Sequence, residues 1–166
     1  MPRRLLRDRQ IVIDEWLYVA EAASEAAAPL IVTFDQWRME PDTWITRGSR
    51  LGLLLAPDHK IEDLAQDLAH FSLIAAQFPG PSDGRGYSQA RLLRERWNFE
   101  GELRATGFVR IDQVFFMARC GFNSFELPDS DFSGALAALS TFSAAYQPSN
   151  DAGLAVKLQP DIPASA

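Results

Sequence analysis

The sequence predicts an α/β fold in a single domain: a mostly parallel sheet built from repeated βα units, either an open sheet or a half-barrel. Three observations predict it. Short apolar runs and amphipathic stretches alternate at least four times after Leu51, the pattern that parallel strands with right-handed helical crossovers require. The chain has 166 residues, which suits one domain and is too short for an eight-unit barrel. Its apolar fraction of 47% and charged fraction of 23% are those of a globular chain whose core needs no metal or disulfide staple.

The elements follow in order. Ile11 to Ile13 reads as an edge strand. Asp14 either caps a helix over Glu15 to Ala28, rich in Ala and Glu, or opens a connector of variable structure. Leu30 to Phe34, an apolar run behind Pro29, predicts a strand. Leu51 to Leu55 predicts a buried one. Pro57-Asp58 turns the chain, and Asp58 can cap a helix that places Ile61, Leu64, Leu68 and Phe71 on one face. Leu73 to Phe78 is the next strand. The loop from Pro79 to Gly84 leads into a helix with Ala90, Leu93 and Trp97 inward. Glu102 to Thr106 is a strand. A helix from about Arg110 to Cys120 turns Ile111, Val114, Phe115 and Ala118 inward, and Gly121 is placed to end it in the left-handed region. Ser124 to Leu127 is the last strand. Asp129, Ser130 and Asp131 open a helix carrying Phe132, Leu136, Leu139 and Phe142. The domain spans 1–147; the stretch 148–166 has no periodicity and predicts a loose tail.

Composition narrows the function classes. A formal net charge of −6 argues against nucleic-acid binding. The single cysteine, Cys120, can form neither an intrachain disulfide nor a cysteine-ligated cluster. The start Met1-Pro2-Arg3-Arg4 reaches Asp8, Arg9 and Gln10 with no apolar h-region, and no apolar run reaches membrane-spanning length. The expectation is a cytoplasmic protein with no membrane or nucleic-acid partner.

The basic residues are unevenly placed. Between Asp83 and Arg119 stand seven arginines and no lysine against five acids, so this window carries +2 and the rest of the chain −8. A guanidinium offers a planar fork suited to carboxylate, phosphate or sulfur oxyanions. The competing reading is a set of surface pairs such as Arg91 with Glu95. In parallel α/β folds ligands collect beyond the carboxyl ends of the strands. There Asp83-Gly84-Arg85-Gly86-Tyr87-Ser88 joins strand to helix: two glycines permitting close approach, a helix start with free N–H groups, a mobile charge and a hydroxyl. That composes an oxyanion cradle, or else a tight turn in which Asp83 or Ser88 caps the helix. Gly84, Gly86 and Ala90 approach a dinucleotide fingerprint only weakly.

Glu102, Arg104 and Thr106 share one strand face by period two, as a ligand clamp or as an ion pair at the sheet margin. Asp112 and Gln113 open the next helix, where Asp112 either complements the dipole or faces the Arg85 loop. The expected ligand-binding set is therefore Gly84, Arg85, Gly86, Tyr87, Ser88, Arg91, Arg94, Arg104 and Gln113, with Asp112 and Asp83 as the candidates for acid/base work. His59 and His70 are isolated, no metal-ligand spacing occurs, and no cofactor site is evident. Cys120 reads as a small buried hydrophobe at a helix C-terminus, and Phe115-Phe116-Met117 as core.

Through the run Asp83 to Ser88, then Ala90-Arg91-Leu92-Leu93-Arg94, Gly101-Glu102-Leu103-Arg104-Ala105, Gly107, Asp112-Gln113 and Gly121-Phe122, the chain resembles a bacterial domain-of-unknown-function family. Members of that family are often labelled probable oxidoreductases of sulfite reduction and are encoded beside assimilatory sulfite reductase. The matching motifs cover about Phe78 to Leu127; the N-terminal part matches loosely through Asp14, Trp16 and the strand pattern. The resemblance implies a role in making sulfide for cysteine, with sulfite reductase as a partner, and names no catalytic residue. The expectation is an accessory protein that binds the reductase or an oxyanion through the arginine-rich strand ends. The alternative is a small enzyme acting on an anionic substrate, with Asp112 or Asp83 as acid/base and Arg85 with Arg104 as the clamp.

Overall fold

The computed structural model describes residues 2–21 and 27–141. Within them one eight-stranded sheet is formed by β1 (Arg4–Arg7), β2 (Gln10–Ile13), β3 (Leu17–Tyr18), β4 (Leu30–Thr33), β5 (Leu51–Leu55), β6 (Leu73–Phe78), β7 (Glu102–Gly107) and β8 (Ser124–Phe125). The order is β2-β1-β8-β7-β6-β5-β4-β3. From β3 to β8 each strand lies parallel beside its sequence neighbour. Right-handed crossovers that never reverse direction all fall on one side of the sheet, so the sheet winds singly and curls. The half-barrel expectation holds in this form. The sheet is mixed rather than purely parallel, because β1 pairs antiparallel with both β2 and β8.

Chain length enforces the curl. Laid flat, eight strands at about 4.8 Å spacing would put β2 and β3 about 34 Å apart. The four residue steps from Ile13 to Leu17 reach at most about 14 Å. The edges must therefore approach each other, and residues 14–16 cross the concave face. Gly52 makes room for that crossing: a Cβ there would stand 3.2 Å from Trp16 Cζ3 and 3.1 Å from Ile31. Trp16 packs with Ile31, Leu73 and Ala75 in a small cluster on this face, against which Tyr18 and Leu54 lie.

The opposite face carries the helices α1 (Phe34–Met39), α2 (Pro41–Thr46), α3 (Arg85–Glu95), α4 (Ile111–Cys120) and α5 (Phe132–Thr141). Period two sends Val32, Leu53, Leu55, Ile74, Ala76, Phe78, Leu103, Ala105 and Phe125 into the main core beneath them. The hairpin β1–β2 turns through Asp8 and Arg9, both at positive φ (49° and 62°), the geometry of a two-residue turn whose twist matches its strands. No helix is long and apolar enough to cross a membrane among the described residues.

Several expectations change. β1 was not expected, because arginines at both ends hide its buried Leu5 and Leu6. The helix expected over Glu15 to Ala28 gives way to β3 and a short 3-10 turn, Val19–Glu21, with 22–26 outside the described residues. Asp14 does not cap a helix; its carboxylate accepts the Trp16 N–H and two guanidinia. The strand expected from Leu30 to Phe34 stops at Thr33, which caps α1 in a reciprocal pair with Gln36. The helix expected after Asp58 is instead two 3-10 turns, Ile61–Leu64 and Leu68–His70. Ile61, Leu64, Leu68 and Phe71 are buried all the same. Gly121 ends α4 at φ 120°. Phe142 and the stretch 148–166 lie outside the described residues.

Candidate functional site

The loop after β6 folds onto itself. Asp83 accepts from the Arg85 backbone N–H (3.2 Å) and from its guanidinium (3.0 and 2.6 Å). Arg85 holds the Asp83 carboxyl below the usual carboxylate range, and Asp83 in turn raises the guanidinium. Arg85 is exposed and Asp83 half-buried, so solvent screens the pair and its contribution to stability is small. Gly84 has an ordinary φ of −94°. Gly86 is needed for packing: a Cβ would stand 2.6 Å from Phe78 Cζ. Gly86 thus lets α3 pack close on β6, whereas a Cβ at Gly84 would meet only Tyr87 at an ordinary 3.6 Å. Ser88 is exposed.

The arginines do not gather. α3 runs back along the sheet, so Arg85 and Arg94 are about 14 Å apart along its axis. Arg91 is exposed and 3.8 Å from Glu95. Arg94 is half-buried at the far end, where Nε donates to the Gly121 carbonyl (3.0 Å) and Nη1 to the carbonyls of Phe99 and Gly101 (2.6 and 2.9 Å). Burial lowers its pKa. Arg94 ties the end of α3 to the segment entering β7 and to the end of α4.

Arg104 lies on the concave face with its side chain fully buried. Its Nε and Nη2 donate to Glu102 Oε1 (3.0 and 2.9 Å), Nη1 and Nη2 to Asp14 (both 3.0 Å), and Nη1 to Glu126 Oε1 (3.1 Å). A guanidinium has five N–H donors, and these five bonds use them all. Burial alone would lower the Arg104 pKa, but Glu102, Asp14 and Glu126 outweigh it and raise the pKa. Arg3 joins Asp14 and Arg7 joins Glu102, so three arginines face three carboxylates. Glu126 is completed by the Tyr18 hydroxyl (2.7 Å) and the Thr106 hydroxyl (2.7 Å). Burial first, then the Glu126 charge, raises the Tyr18 phenol.

This constellation is closed. With no donor left, Arg104 cannot clamp an oxyanion without first breaking an internal bond. Chemically it fastens the crossing segment at Asp14 and Tyr18 to β7 and to the end of β8. Of its members the sequence brought out Glu102, Arg104 and Thr106, and it missed the roles of Asp14, Tyr18 and Glu126. One signal was available: Ser124 and Glu126 alternate with Phe125 and Leu127, which puts Glu126 on the Arg104 face.

The solvent-facing chemistry is on the α3–α4 surface at the carboxyl rim. Tyr87 lies tilted against Phe78 (5.2 Å) and edge-on to Phe116 (5.0 Å). Phe116 is 48% exposed and Phe108, in the loop before α4, 40%. The core expected of Phe115-Phe116-Met117 therefore holds for Met117 alone; Phe115 is half-buried. Arg91 stands one turn after Tyr87 on α3 and Cys120 one turn after Phe116 on α4. Arg91 reaches the buried Cys120, whose thiol burial pushes up. Asp112 pairs with Arg110 (3.1 Å), and both are exposed. Gln113 is half-buried beside it.

A hollow of about 350 Å³ opens at the opposite, amino end of the sheet between Leu68, Phe71, Trp97 and Phe99. None of the expected site residues lines it. The carboxyl rim, where the charged and aromatic side chains meet solvent, is the better candidate.

A family model described as a bacterial protein of unknown function, DUF934, matches residues 52–156, more than half of the chain. No curated protein matches.

Proposed function

The chain belongs to the DUF934 family of bacterial proteins, and from that premise we propose an accessory protein of assimilatory sulfite reduction, cytoplasmic, that docks its partner reductase through the α3–α4 surface. One observation carries the docking reading: Phe116 faces solvent, edge-on to the half-buried Tyr87 and near the exposed Arg91, while Arg94 and Arg104 are held inside the fold. Exposed aromatic and arginine side chains set side by side are what protein interfaces concentrate at their centres. An acidic chain with a locally basic window suits selective docking to an acidic surface. The pathway rests on the motif resemblance between Phe78 and Leu127.

Co-purification tests the proposal. Assimilatory sulfite reductase should be retained by the wild-type chain and lost with Arg91→Ala combined with Phe116→Ala. Both side chains are exposed, so the variant keeps its fold. Retention by the double variant, or no retention by wild type, overturns the proposal.

The alternative is a small enzyme acting on an anionic substrate; the observation that favours it is the Tyr87 phenol, raised by burial first and then by the neighbouring Cys120 and Asp112. Asp83 is a poor proton donor near neutral pH, because Arg85 keeps its carboxyl ionised. Thermal unfolding with sulfite, sulfate, nucleotides or flavins separates the two readings. A bound ligand adds RT ln(1 + [L]/Kd) to the stability and so raises Tm, whereas the docking reading expects no rise with any of them.

A further inference from the structure

β2 is the outermost strand on its side of the sheet, and among the described residues nothing else pairs with it. Edges of this kind are normally blunted by a charge, a proline or a bulge. Gln10-Ile11-Val12-Ile13 has none of these, and Ile11 and Ile13 are 43% and 63% exposed. The pairing with β1 decides which backbone groups are free. Arg7 stands opposite Gln10 and Leu5 opposite Val12, and the Asp14 N–H donates to the Arg3 carbonyl (2.8 Å). Bonded pairs alternate in an antiparallel ladder, so the even-numbered residues are tied to β1. The N–H and C=O groups of Ile11 and Ile13 point away from it. Ile11 stands opposite Leu6, which is in the main core, so both isoleucines project on the helix side, beyond the last helix cover.

We propose that this edge pairs with β2 of a second copy of the chain, antiparallel, about a two-fold axis through Val12. This register is the one that matches the free groups: Ile11 meets Ile13 of the second copy and Ile13 meets its Ile11. Each pair exchanges two backbone hydrogen bonds. A two-fold axis perpendicular to the sheet keeps its faces, so four isoleucines form one apolar patch on the helix side. The two Val12 residues form the non-bonded pair between them. The pairing is thus complementary in hydrogen bonds and in apolar surface. A four-residue edge buries less than a standard stable interface, so association at roughly micromolar concentrations is expected.

Sedimentation of the full chain over a concentration series should show monomer and dimer. Ile13→Lys places a charge at the exposed centre of the patch and should weaken the dimer by more than about tenfold, with the circular dichroism spectrum unchanged. Val12→Cys tests the register. The two Cα atoms would stand about 4.5 Å apart, within disulfide reach, so mild oxidation should give a covalent dimer. Ile11→Cys should not, since its two copies would be about 9 Å apart. The native Cys120 is buried and does not compete. A chain that is monomeric throughout overturns the proposal. So does a dimer indifferent to Ile13→Lys, or equal cross-linking at positions 11 and 12.

Discussion

Replacing Arg104 by methionine keeps an unbranched side chain of similar length and removes the guanidinium. Asp14, whose side chain is fully buried, and Glu102, 10% exposed, would lose their shared cation, and Glu126 would keep two hydroxyls. Arg3 and Arg7 would remain, each on one carboxylate. Removing one member of a buried ionic cluster typically costs about 3–5 kcal/mol, because charges remain where water cannot reach them. For a chain of this size that is roughly 10–15 °C in Tm. The assay is urea unfolding followed by tryptophan fluorescence, at pH 8 and at pH 5. The sign of the pH dependence follows from proton linkage. Carboxylates stripped of their cation hold protons more tightly in the folded variant than in its unfolded chain, so the variant loses stability as pH rises. The deficit against wild type should be larger at pH 8 than at pH 5. Arg104→Lys keeps the charge with at most three donors and should fall between. A loss below about 1 kcal/mol, equal at both pH values, would refute the claim that Arg104 holds the concave face together.

The Tyr18 phenol is raised above its ordinary value near 10. The stability this reflects is present below about pH 10 and lost as pH rises further, because the unfolded chain ionises first; alkaline unfolding of Tyr18→Phe should show a shallower decline. The two glycines of the rim loop should separate. Gly84→Ala meets only an ordinary contact with Tyr87 at 3.6 Å and should be nearly neutral, while Gly86→Ala must displace the Phe78 ring and should cost about 1–3 kcal/mol in chemical denaturation. Equal effects at both positions would mean that the loop is shaped by something other than the packing of α3 on β6.

The strand–helix alternation after Leu51 was legible because buried parallel strands read as apolar runs, and β5, β6 and β7 fall where those runs are. Local capping signals were also present, in Thr33 with Gln36 and in Pro41, but the apolar run through Phe34 masked them. The N-terminal hairpin was harder to see. Leu5 and Leu6 are buried on opposite faces between arginines, which is neither a clean alternation nor a long apolar run. The pairing of Arg104 was half legible. Period two joined it to Glu102, but Asp14 lies 90 residues away, and only the curl of the sheet brings the two together. The spread of the arginines was illegible for a related reason. Arginines close in sequence were expected to be close in space, whereas α3 sends Arg85 and Arg94 to opposite ends of the sheet and period two turns Arg104 to its other face.

The most direct test of the docking account is the affinity of purified wild-type chain for assimilatory sulfite reductase, measured by calorimetry at low and high salt, beside Phe116→Ala and Arg91→Ala. The account predicts saturable binding that weakens with salt, is lost or reduced at least about tenfold by each substitution, and survives Arg85→Ala more nearly intact, since that guanidinium is already occupied by Asp83. Absence of binding, or binding indifferent to Phe116 and Arg91, would contradict it.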